Sequence, residues 1–204
     1  MKDLEIRGAG NMLGKSQHGH MQAVGYDLYC KMLNEAVGNL KGIEKEDSFD
    51  TLVDLDVDAY IPSEYIVNEI QKLDIYKRIA GIEDQNECDS MKEELMDRFG
   101  KVPPSALSLL RVSMIRVKAH ELFMTEVKGR DGVLVFNVKR DAALSPDGVI
   151  ELFKKYEKLS FNNKLSQFIY HYKKTGFVDK DERELLDLVD NLLKDMKENL
   201  LKSQ

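Results

Sequence analysis

Residues 125–138 read Thr-Glu-Val-Lys-Gly-Arg-Asp-Gly-Val-Leu-Val-Phe-Asn-Val, and this stretch decides the fold class. Two short strand-like runs, 125–130 and 133–138, flank Asp131-Gly132. An Asp-Gly pair between such runs is the strongest short hairpin signal, because the tight turn it forms needs residues that tolerate positive φ. On both sides of this hairpin the hydrophobic period changes to that of a helix. Upstream, Pro62-Ser63 is read as a helix start, with core positions Ile66, Ile70, Leu73, Tyr76 and Ile79 and an end at Gly81. A second helix is predicted over 86–99 around Met91, Leu95 and Phe99, stopped by Gly100. Pro103-Pro104 opens a third, running to about Phe123. It is apolar over so much of its circumference that it belongs at the centre of the domain.

Downstream, Ser145-Pro146 caps a helix through Val149, Ile150, Phe153 and Tyr156. A strand follows near 165–172. The last helix, from about 179 to 200, carries one stripe of Leu185, Leu188, Leu192, Met196 and Leu200. Ahead of all these, Leu52, Val53, Leu55, Val57, Tyr60 and Ile61 alternate with Asp54, Asp56 and Asp58, which predicts a half-buried strand with an acidic outer face. Residues 50–204 are therefore expected to form an α+β domain, with helices packed on a small, mostly antiparallel sheet. The first 45 residues read as a separate piece: a loop rich in glycine (Gly8, Gly10, Gly14, Gly19), then an amphipathic helix over 21–40 ended by Gly42. Residues 43–50 are charged and read as a linker.

The 204 residues suit one or two domains with a real core. No apolar run approaches the roughly 18–20 residues of a membrane span, and Met1-Lys2-Asp3-Leu4-Glu5 lacks the pattern of a signal peptide, so the expected location is the cytoplasm. Cys30 and Cys88, far apart in such a chain, are read as reduced thiols. The formal net charge of −6 conceals an asymmetry. Residues 44–100 carry 17 acidic and 6 basic side chains, whereas 101–174 carry 14 basic and 7 acidic ones. The first set repels duplex DNA; the second attracts phosphate or acidic protein. Both are also compatible with ordinary solvated helix faces.

Several tempting motifs fail on spacing. Gly14-Lys15-Ser16 imitates the end of a phosphate-binding P-loop, but the loop needs a glycine five residues earlier and Ala9 stands there. Gly8-x-Gly10 lacks the third glycine of a dinucleotide fingerprint, since position 13 is Leu13. His18 and His20 have no further ligands nearby for a metal. Asp54, Asp56 and Asp58 do not follow the spacing of a calcium loop. The Tyr and Phe residues over 153–172 lie among lysines, as in single-strand binders, but their helix and strand spacing suits a core. No metal and no cofactor site is expected.

Two sets of residues carry a resemblance. Asp3-Leu4-Glu5-Ile6-Arg7-Gly8-Ala9-Gly10-Asn11-Met12-Leu13-Gly14, with Gln17-His18-Gly19-His20 and Val24-Gly25-Tyr26-Asp27-Leu28-Tyr29, resembles the TRG motif (translocation in RecG) that follows the last helicase motif in RecG-type helicases and transcription-repair coupling factors. Tyr60-Ile61-Pro62, 72–80 and 93–103 resemble the C-terminal domain of the coupling factors, which RecG-type helicases lack. The resemblance implies that residues 1–45 form a helical hairpin at the end of a motor lobe, where Arg7 and Gln17, with Gly8, Gly10, Gly14 and Gly19 as pivots, couple ATP hydrolysis to movement. It implies that the chain is the C-terminal part of an ATP-driven duplex-DNA translocase that displaces stalled RNA polymerase and recruits excision repair, ATP and Mg being bound by the rest of that protein and the chain itself having no ATPase activity. It implies further that residues 50–204 dock on an N-terminal region of the same polypeptide that resembles UvrB, masking the surface for UvrA. The docking face is left between the basic side near Arg111, Arg116 and Lys118 and the acidic first two helices. Lys15-Ser16 depart from the family, which has acidic residues there, and His18 replaces a small residue. Two readings from other classes stand beside this one: a nucleic-acid-binding module using the basic segment, and a P-loop phosphotransferase using Lys15 and Ser16.

Overall fold

A computed structural model describes residues 49–201. The strands are β1 (Leu52–Leu55), β2 (Met124–Arg130), β3 (Val133–Val138), β4 (Leu159–Asn162) and β5 (Gln167–His171). The helices are α1 (Glu69–Ala80), α2 (Gln85–Phe99), α3 (Pro104–Glu121), α4 (Pro146–Lys155) and α5 (Val178–Leu200). The strands form one sheet in the order β1-β2-β3-β5-β4. Only the β1–β2 pair is parallel; the other three are antiparallel. The α+β class and the mostly antiparallel sheet agree with the sequence reading.

The Asp-Gly hairpin forms as its chemistry requires: Asp131 and Gly132 have φ of 52° and 80°, the left-handed pair of a type I′ turn. Period-two alternation then sends Val127, Phe136 and Phe168 to one face, in register across β2, β3 and β5, where all three are fully buried. The helices cover this face. α3 packs on β1 and β2, and α5 packs against α3 and α4. Leu109, Ile115 and Ala119 of α3 and Val189, Leu192 and Met196 of α5 are completely buried, so the expected central helix and the striped last helix both hold. Cys88 is a free, buried thiol.

Three expectations are corrected. The first helix does not begin at Pro62-Ser63. Those residues form a turn, with Tyr65 and Ile66 N–H donating to Pro62 O, and the helix begins after Asn68, whose side chain accepts from the N–H groups of Ile70 and Gln71. Starting there rotates Ile70 into solvent and puts Lys72 inside, at 80% and 3% exposure. The acidic strand ends at Leu55; Asp56 lies in the bend that follows it and Asp58 in irregular chain beyond. Strand β4, short and polar outside Leu159 and Phe161, escaped the sequence reading.

Candidate docking surface

The three basic residues singled out on α3 are all engaged within the domain. Arg111 donates to Asp187 at 2.7 Å and Asp190 at 2.9 Å, and Lys118 donates to the second Asp190 oxygen at 2.7 Å. This fastens α3 to α5. Arg116 donates to the carbonyls of Ala80 and Ile82, both at 2.8 Å, and so holds the turn between α1 and α2. A guanidinium suits this task, since its terminal Nη2 carries two coplanar N–H groups and serves both carbonyls at once. The acidic partners of Arg111 lie 76 and 79 residues further along the chain, a separation that no local periodicity reveals.

The acidic side is built differently. α1 and α2 are cross-linked by Glu94, which accepts from Arg78 of α1 and from Arg98 one turn along α2. Hydrogen bonds from Arg78 and then Arg98 hold the Glu94 carboxyl down at about 2. The Tyr65 hydroxyl reaches Leu95 O at 2.8 Å and Gly100 O at 3.1 Å, and its ring packs edge-on against Phe99. That ties the segment leading into α1 to the end of α2. The cross-linked pair presents Glu87, Asp89, Glu93 and Asp97 to solvent, with Met96 half exposed among them.

Two large apolar side chains stand out at the start of α1. Val67 is 79% exposed and Ile70 80%. Val67 immediately precedes the cap residue, where an apolar side chain usually packs on the fourth helical position. That position is Lys72, whose stem is buried and whose ammonium reaches Ser63 Oγ at 3.2 Å and Glu69 at 2.9 Å. Val67 therefore has no staple partner, and Ile70 points away from the core. Glu64, Glu69 and Asp74 surround the pair in sequence and are all exposed. An apolar contact flanked in sequence by exposed carboxylates, of which Glu69 is paired with Lys72, can bind a protein surface of the opposite design, an apolar depression with Arg or Lys beside it.

Other chemistry finds little support. Among the described residues no group of three or more His, Cys, Asp or Glu could hold a metal ion, and no helix is long and apolar enough to cross a membrane. Asp54 pairs with Arg130 at 3.3 Å and Asp56 with Lys174 at 2.6 Å. The aromatic residues over 153–172 pack against the core: Phe161 stacks at a tilt on the buried Phe168, and Tyr156 meets Tyr170 edge-on. Arg7, Gln17, Gly8, Gly10, Gly14 and Gly19, with the whole 1–45 piece, lie outside the described residues.

Comparison with known proteins gives a consistent result. Residues 55–149 match the TRCF domain family. The chain is 40% identical over 167 residues to the transcription-repair-coupling factor of Staphylococcus haemolyticus (strain JCSC1435), and 41% identical over 161 residues to that of Staphylococcus aureus (strain USA300). These alignments cover 81% and 78% of this chain but 14% of each relative, so the chain spans about a seventh of their length. A solved structure described as the crystal structure of the C-terminal domain of transcription-repair coupling factor superposes with a TM-score of 0.60 at 20% identity. It covers 76% of this chain and 98% of that one, a likeness of fold.

Proposed function

Because the chain belongs to the transcription-repair coupling factor family, we propose that residues 50–204 act as an autoinhibitory docking module of a DNA translocase. In this reading the domain grips an N-terminal, UvrB-like region of the same polypeptide. It covers the surface for UvrA and restrains the motor until RNA polymerase is engaged. The motor, not this chain, supplies ATP and Mg binding and the grip on duplex DNA.

The observation that carries the reading is the α1–α2 face. Its exposed apolar pair, Val67 and Ile70, contributes nothing visible to the fold, and its surroundings are acidic. The basic alternative is weaker, because Arg111, Arg116 and Lys118 are occupied by Asp187, Asp190 and backbone carbonyls. An acidic face also repels DNA, which favours a protein partner. The test is binding in trans between the purified chain and the remainder of the parent protein. Wild type binds in a salt-sensitive way, and Val67→Ser with Ile70→Ser weakens binding at least tenfold without lowering thermal stability. Equal binding by the double variant would move docking off this face.

For residues 1–45 we keep the coupling role of Arg7 and Gln17. A guanidinium and an amide can exchange hydrogen-bond partners as a motor cycles. Alanine at either position in the parent abolishes polymerase displacement and leaves ATP binding intact; normal displacement by both variants refutes the assignment.

A further inference from the structure

The sheet ends on β4, and the outer edge of that strand is open. Two bonds fix which way its backbone points. Tyr172 N–H donates to Gly132 O and Val138 N–H to Ser166 O, both at 2.8 Å, so the even-numbered residues of β5 bond to β3. The alternation of an antiparallel ladder then turns Gln167 and Ile169 toward β4, where they face Asn162 and Ser160. Leu159 and Phe161 alternate with those two, so their backbone groups point away from the sheet. The Leu159 N–H is taken by Tyr156 O at 2.9 Å. That leaves the N–H and carbonyl of Phe161 and the carbonyl of Leu159 on an edge that no strand among the described residues covers.

The surroundings of this edge select a partner. β4 reads Leu-Ser-Phe-Asn, with none of the charges or prolines that usually blunt an edge. Charges stand at its two ends instead. Lys158 and Lys164 are exposed, and no carboxylate among the described residues pairs with either, whereas Lys154 and Lys155 hold Glu151 and Asp195. The free lysines disfavour a second copy of the chain: two β4 strands meeting antiparallel at Phe161 would set Lys158 of each opposite Lys164 of the other. They favour carboxylates at both ends of an incoming strand. α4 supplies the apolar part. Its Gly148 and Lys155 face α5, against Asn199 and Asp195. At about 100° per residue, Ile150 and Phe153 fall on the opposite flank, the outer side of a helix that also rests on β4. Ile150 is 52% exposed and Phe153 half-buried.

We propose that the β4 edge binds an extended acidic segment of another protein by strand addition. The segment runs antiparallel to β4 and exchanges two backbone hydrogen bonds with Phe161. The side chain opposite Phe161 points to the helix-covered face, beside Ile150 and Phe153, and is therefore apolar. Carboxylates at the two ends of the segment meet Lys158 and Lys164. α1 and α2 rest on α3, which covers β1 and β2, so the α1–α2 face and the β4 edge lie at opposite ends of the sheet. The domain can hold its own polypeptide at one end and a second protein at the other, and strand addition at β4 stands whether or not the α1–α2 face docks.

The test titrates a blocked peptide, Glu-Val-Thr-Val-Thr-Val-Glu, into the 204-residue chain and follows the backbone amides by NMR. Its central valine opposes Phe161 and its glutamates oppose the two lysines. The amides of Ser160 and Phe161 shift saturably, and hydrogen exchange at Phe161 slows at least tenfold at saturation. Lys158→Glu with Lys164→Glu weakens binding at least tenfold, and the same peptide with lysine ends prefers that variant to wild type by a similar factor. Methylating the central valine nitrogen removes the donor to Phe161 O and abolishes binding. No saturable change at Phe161 overturns the proposal. Equal binding by the methylated peptide reduces the contact to surface charge and overturns strand addition. Protection of Phe161 that grows with protein concentration in the absence of peptide assigns the edge to a second copy and overturns the choice of partner.

Discussion

Gly148→Ala tests how tightly the last two helices are fitted together. Gly148 lies in the first turn of α4, against the end of α5. A Cβ there would stand 2.1 Å from the Asn199 carbonyl oxygen and 2.7 Å from its carbon. Both atoms are backbone, so no rotamer change relieves the clash; α4 must move by about 1 Å or more to reach normal contact distance. It is not free to move. Ser145 N–H donates to Leu200 O at 3.1 Å at one end, and Lys155 holds Asp195 at 2.6 Å at the other, where Tyr156 bonds the same carboxylate. Overpacking of this kind costs about 1–3 kcal/mol, and stretching the Ser145–Leu200 bond adds about 1 kcal/mol. Alanine returns about 1 kcal/mol of helix propensity. The net loss is about 1–3 kcal/mol, a fall in Tm of about 2–12 °C for a domain of this size. Thermal and urea unfolding followed by circular dichroism measure it, with Ile150→Ala as an exposed control on the same helix. A variant as stable as wild type would show that the crossing is looser than described.

Arg116→Met leaves the carbonyls of Ala80 and Ile82 without their donor, and urea unfolding should show a loss of about 2–3 kcal/mol; Arg116→Lys should recover only part of it, since a flexible ammonium does not hold two N–H groups in the fixed plane of Nη2. Tyr156→Phe removes one bond to Asp195 but leaves Lys155 in place, so its cost is expected near 1 kcal/mol by the same measurement. Glu94 has a folded pKa of about 2 against an ordinary value of 4.5. Its contribution to stability is therefore complete above about 4.5 and is lost as the pH falls toward 2. Wild type and Glu94→Gln should differ in urea midpoint at pH 6, the gap narrowing below about pH 4.5 and closing only below about pH 2; a gap independent of pH would separate Glu94 from the effect.

Much of this fold is readable without coordinates where local chemistry dominates. Asp131-Gly132, Ser145-Pro146 and Gly100 each demand one backbone geometry, and each marks its turn, cap or stop. The stripe of α5 is long enough that its period is unambiguous. The errors have a common cause. At the start of α1 the apolar spacing placed Ile70 inside, but the Asn68 cap set the helix phase and turned it out. The cap signal lay in the sequence and was outweighed by the proline six residues earlier. Strand β4 has four residues and relies on β5 for its pairing. The fate of Arg111 and Lys118 depended on a helix 76 and 72 residues away, which only tertiary structure supplies. The site was legible in the same uneven way: an acidic first half was evident from composition, whereas the exposed Val67 and Ile70 at its edge were not.

The central claim, that this domain holds a translocase in check, is tested most directly by deleting residues 50–204 from the parent protein and measuring UvrA affinity together with basal ATPase rate. Both rise if the domain is a lid. Values equal to those of the intact protein would contradict the account.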